Sequence, residues 1–129
     1  MRIRLGIVMA LVASSAYAAF YDGNKIYPLC ESNKGLIGMY IAGWTDKQQH
    51  DYYSLAMAEA SITTPTNQMT VNSLLQGVDA NICIPPGEIR LGQMVDVLCK
   101  YLADHPETRQ LAMSDQLRLS LSGAWPCRK

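Results

Sequence analysis

Only two histidines and one phenylalanine occur in 129 residues, and none of the four cysteines forms a CxxC pair. Zinc sites place Cys and His at such short spacings, and His50 and His105 lie far apart in unlike contexts, so no metal centre is expected. No GxSxG, HExxH or glycine-rich phosphate loop is present, so none of these catalytic or nucleotide-binding motifs supports an enzyme or a cofactor. No apolar run approaches the roughly 20 residues that span a bilayer. Period-two alternation is missing too, which argues against strands and leaves helices to build the fold. Internal repeats and low-complexity segments are also lacking.

The N-terminus carries the first positive pattern. Arg2 and Arg4 precede an apolar run from Leu5 to Ala13, and small residues end in Ala16-Tyr17-Ala18. Charge, apolar stretch and small-x-small site together form the layout of a secretory signal peptide, residues 1–18, cut after Ala18. No membrane anchor is expected after cleavage. The mature chain, Ala19 to Lys129, keeps nine basic and eleven acidic residues, a formal net charge of −2. With no basic field, nucleic acid and anionic lipid are not expected partners. About 110 residues suit one domain with a single core, residues 19–129.

Cys30, Cys83, Cys99 and Cys127 all follow the signal peptide. An even count in an oxidising compartment reads as two disulfides, with three possible pairings. The helix pattern narrows them. A short helix is expected in DGNKIYPLCES, interrupted or restarted at Pro28, followed by a turn at Asn33 and Gly35. From Gly35 to Ile62 apolar residues recur at helical spacing, as one helix or as two joined near Thr45-Asp46 with Thr45 as a cap. Thr63–Thr70 has loop composition, and Val71–Gly77 reads as a short helix. Cys83–Glu88, with Pro85-Pro86, is irregular. Val95, Leu98, Cys99 and Leu102 share one face of a helix from Leu91 to Ala103, which His105-Pro106 ends. A last helix begins near Ser114 as N-cap, turns Leu117, Leu121 and Ala124 inward, and stops at Pro126. The expected class is all-α, a small bundle of four to five helices stapled by two disulfides.

Cys99 and His105 raise the question of a nucleophile and its base. A reactive thiolate needs access and a lowered pKa, whereas Cys99 lies on an apolar stripe, where burial acts the other way. His105 is six residues further on, about 9 Å along the axis and past the helix end. A staple is the better reading. If the last two helices pack antiparallel, Cys127 comes level with Cys83, and Cys99 lies several turns away, beyond the roughly 7 Å Cα separation a disulfide spans. This favours Cys30–Cys99 and Cys83–Cys127.

His50 and Asp51 in KQQHDYY read as a solvated helix face. Tyr40, Trp44, Tyr52 and Tyr53 are core candidates by spacing, with one or two left exposed as partner anchors. The apolar and aromatic surplus makes a homodimer an expected form.

Three segments carry a family resemblance: YIAGWTD (Tyr40 to Asp46), NICIPPGEIRLGQMVDVLCKYLADHPETR (Asn81 to Arg109) and AWPC (Ala124 to Cys127). They resemble the Rap/Tai immunity family, periplasmic proteins that neutralise peptidoglycan amidases delivered by type VI secretion. Family members often carry a cysteine where this chain has Ile37, and an aliphatic residue where it has Cys99. The resemblance implies a periplasmic immunity protein with no chemistry of its own, occluding the cleft of a cognate amidase. The polar, proline-stiffened loop Thr63, Thr64, Pro65, Thr66, Asn67 and Gln68 is the expected contact, since loops carry function. A fainter resemblance, an early cysteine paired with one in a central helix, points to acid-stress periplasmic chaperones of the HdeA type.

Overall fold

The structure, a computed structural model, describes residues 20–62, 64, 81–85 and 89–127. The expected signal peptide, the expected Val71–Gly77 helix and most of the expected Thr63–Thr70 loop lie outside these residues. Two short helices open the fold, α1 (Gly23–Ile26) and α2 (Leu29–Ser32). Asp22 caps α1 by accepting from Lys25 N at 2.9 Å, and Pro28 restarts the chain into α2. No separate turn forms at Gly35. Instead Asn33 ends α2 and begins α3 (Lys34–Ala60), its side chain accepting from Leu36 N at 3.2 Å.

α3 is one helix of 27 residues. Thr45 caps no second start; its hydroxyl donates to Ile41 O at 2.9 Å, a bond that a helix interior satisfies without breaking. The fourth helix, α4 (Leu91–Asp104), begins where the Gln93 side chain accepts from Arg90 N at 2.8 Å. It ends at His105, ahead of Pro106, as the proline rule requires. A 3-10 turn, Pro106–Thr108, leads toward α5 (Met113–Ala124).

The start of α5 differs from expectation. Ala112, not Ser114, is its N-cap, because Met113 N donates to Tyr21 O at 2.9 Å and Asp22 bridges Ala112. This tie to the N-terminal segment sets where the helix begins, overriding the local preference for serine. Ala124 is exposed, and the inward residues are Met113, Gln116, Leu117, Ser120 and Leu121. Gln116 is fully buried and donates to Thr108 O, which anchors the 3-10 turn to α5. Its Oε1 has no partner.

Gly23 shows how closely these parts meet. A Cβ there would lie 2.9 Å from the Arg109 backbone, a clash with atoms that cannot rotate away. Arg109 in turn stacks its guanidinium 3.6 Å over the Tyr27 ring and donates to Leu102 O at 2.6 Å.

One core holds the helices together: Ile26, Cys30, Ile37, Ile41, Met94, Val95, Leu98, Leu102, Met113, Leu117 and Leu121. Each fully buried Leu or Ile contributes about 1.5–3 kcal/mol relative to exposure. Disulfides join Cys30 to Cys99 and Cys83 to Cys127, the pairing that the antiparallel hairpin favours. Among the described residues there is no strand, only isolated bridges.

Candidate functional site

The site arises from a mismatch of lengths. α3 and α4 run antiparallel, since Lys34 pairs with Asp96 at 2.7 Å and Gly38 meets Leu91. At 1.5 Å per residue α3 is about 40 Å long and α4 about 21 Å. Consequently the N-terminal half of α3 buries Ile37, Gly38 and Ile41, whereas no residue beyond Ile41 in this helix is buried. The inward stripe nevertheless continues, through Trp44, Gln48 and Tyr52 at i, i+4 and i+8.

Past the start of α4 this stripe becomes a wall of a groove of about 230 Å³. Thr45, Gln49 and Tyr53 widen the wall; Ile82 and Ile84 stand opposite, and Met94 and Leu121 reach it from the body. Among the described residues no charged side chain lines it. Asn81, in the left-handed region at φ 54°, precedes Ile82, which bridges Pro126 beside the second disulfide. Tyr52 and Tyr53 remain 45% and 59% exposed, with their rings edge to face at 6.1 Å. Trp44 and Tyr40 instead pack against the core, and burial raises the Tyr40 pKa. Of the four aromatics, two thus pack on the core and two stay exposed, within the one or two that their spacing suggested.

A neutral groove with aromatic walls and amide donors and acceptors suits protein recognition. Tyr and Trp offer large contact area at low entropy cost, and the core of an interface is depleted in charge. Charged groups sit elsewhere on α3. Lys47 donates to Asp51 and, with His50 at 3.5 Å, holds its carboxyl below the usual range. His50 is largely exposed, the solvated face expected there.

The other sequence candidates fall apart as a site. Cys99 is bonded to Cys30, and all four cysteines are in disulfides. His105 contacts Glu107 at 2.9 Å and stacks on Tyr101, with ring centroids 4.4 Å apart. Of the expected contact loop, Thr64 is exposed, while Thr63 and Pro65, Thr66, Asn67 and Gln68 lie outside the described residues. Sequence reasoning missed Gln48, Gln49, Ile82 and Ile84. The signal was present: the stripe of α3 runs on for about twice the length of α4 or α5, the described helices that could cover it.

A family model described as Rap1a immunity proteins matches residues 22–127. The chain belongs to that family. The Rap1a match begins at the α1 cap, Asp22, and ends at the second disulfide, Cys127, so it spans every described helix. Rap1a membership makes the chain an immunity protein, whose partner is a secreted effector. No curated protein and no solved structure gives a significant match. Among the described residues, no helix of this Rap1a protein is long and apolar enough to cross a membrane.

Proposed function

We propose that this Rap1a protein is a single periplasmic domain, released by cleavage after Ala18, that binds and occludes the active-site cleft of a type VI secretion peptidoglycan amidase. One observation carries the choice of surface: the inward stripe of α3 outruns the bundle and presents Tyr52 and Tyr53 beside a neutral groove. The loop Thr63–Gln68, the contact expected from the sequence, follows the end of α3 in chain order, and we take it as the second part of the contact. Inhibition is steric. The groove anchors an apolar segment of the enzyme while the polar loop fills a cleft that must admit peptide, and no bond is made or broken by the immunity protein.

A second copy is expected on the other face of α3. Leu36, Met39 and Tyr21 are exposed there, Met39 to 74%, and a side chain at Gly43 would meet open space. Gly43→Arg should therefore leave the monomer folded while lowering the mass seen by light scattering from dimer to monomer.

The deciding experiment pairs two assays. Mature protein beginning at Ala19 should bind a cognate type VI secretion amidase and block its peptidoglycan hydrolysis at pH 7. It should fail to suppress aggregation of unrelated clients at pH 3. Client protection at acid pH without inhibition would replace this reading by the acid-chaperone one.

A further inference from the structure

The two disulfides occupy opposite environments. Cys30 is buried in the core and Cys99 packs against it from the middle of α4. Cys83 is exposed and Cys127 half-buried, both outside any helix. Thiol–disulfide exchange requires an attacking thiolate to reach a sulfur, so access alone separates their rates.

Position gives the exposed bond a consequence. Cys83 lies between Ile82 and Ile84, which form one wall of the groove. The wall is pinned to the end of α5: Ile82 bridges Pro126, Cys83 N donates to Trp125 O at 2.9 Å, and Cys83 is bonded to Cys127. Neither Ile84 nor Pro85 is buried. Among the described residues, opening the disulfide leaves the wall held by one short backbone pairing to the segment after α5, which the same bond had fixed. The Cys30–Cys99 bond, by contrast, supports the core from which α3 projects.

We propose that Cys83–Cys127 is a thiol-sensitive clamp on the groove, opened selectively by dithiol reductants while Cys30–Cys99 stays closed. Its opening lowers affinity for the effector. A thiolate of the dithiol attacks one sulfur of the Cys83–Cys127 bond, the other sulfur leaves and takes up a proton, and the second thiol resolves the mixed disulfide. Two electrons and two protons pass from the reductant, which ends as a disulfide, while Cys83 and Cys127 end as thiols. The loss of affinity rests on the effector-binding reading above; the selectivity and the movement of the wall do not.

The test titrates dithiothreitol into the mature protein, alkylates with iodoacetamide and maps the labelled peptides. Cys83 and Cys127 should be labelled about tenfold faster or more than Cys30 and Cys99, with the helical circular dichroism retained. In Trp125→Phe, Trp44 is the sole tryptophan, and its emission should shift to the red as the groove wall leaves. Affinity for the amidase should fall in step. The Cys83→Ser/Cys127→Ser double variant should reproduce the open state without reductant; if it does not fold, partially reduced wild type provides the same comparison. Equal labelling rates, earlier opening of Cys30–Cys99, or unchanged Trp44 emission after selective reduction would overturn the clamp. Failure of the oxidised protein to bind any amidase would overturn the effector reading, and labelling order and Trp44 emission would still decide the clamp.

Discussion

The two halves of α3 have similar apolar spacing and different fates. Ile37 and Ile41 are fully buried, yet Tyr52 and Tyr53, further along the same helix, stand in solvent. What differs is the neighbour. The first half lies against α4 and the Cys30–Cys99 bond, whereas the second extends past the point at which α4 begins. Helical periodicity therefore specifies a face, and the lengths of the surrounding helices specify whether that face becomes core or surface. A binding protein gains from this arrangement: the buried half holds rigid a helix whose exposed half offers aromatic anchors.

The sharpest way to break the comparison is to remove support from the buried half. Ile41→Ala should cost about 2–5 kcal/mol in urea denaturation, transfer and cavity terms together. Cys99→Ser should cost a similar amount, about 2–5 kcal/mol. The sequence separations of the two disulfides, 69 and 44, differ little in loop entropy, by about 0.4 kcal/mol. A melting midpoint that falls much further for Cys99→Ser than for Cys127→Ser would thus trace the excess to the native core.

Substitution in the exposed half should give the opposite signature. Tyr52→Ala is expected to weaken effector binding by about 2 kcal/mol or more, near thirtyfold, while changing stability by about 1 kcal/mol or less. Calorimetric titration and thermal denaturation on the same samples check both values. Equal losses in the two measurements would mean that Tyr52 serves the fold.

Acid should have the smallest effect. Among the described residues the buried polar side chains are Gln116 and Ser120, neither ionisable. Carboxyls held below their ordinary range are surface pairs: Asp51 with Lys47, Asp104 with Lys100 at 2.6 Å, and Glu107 with His105. Because their folded pKa values are lowered, they stabilise the fold above the unfolded value of about 4, and that contribution is lost as pH falls through the folded values. Exposure keeps each contribution small. Helical circular dichroism at pH 3 should match that at pH 7, with only a slight drop in melting temperature. Loss of helicity would reopen the acid-chaperone reading.

Much of this fold was legible locally. Pro28 and Pro106 mark boundaries because proline constrains its own φ and the residue before it, wherever the chain lies. The stripe of Val95, Leu98 and Leu102 predicts a buried face, and the hairpin that buries it brings Cys127 to Cys83. The start of α5 was not local: a backbone bond from Met113 to Tyr21, about 90 residues earlier in the chain, outweighs the capping preference of Ser114. Nor did any short-range rule assign Gln116 to the core, since its place depends on the Thr108 carbonyl supplied by the preceding turn. The groove belongs with these. Trp44, Gln48 and Tyr52 share a face by helical geometry alone, but Ile82 and Ile84 join them only because the second disulfide and the Pro126 bridge draw a distant segment alongside. Periodicity and proline chemistry act over one or two turns, so the sequence by itself determined where most of the described helices lie and which face of each is apolar. Which faces found a partner was decided by tertiary packing, because coverage depends on where other elements begin and end.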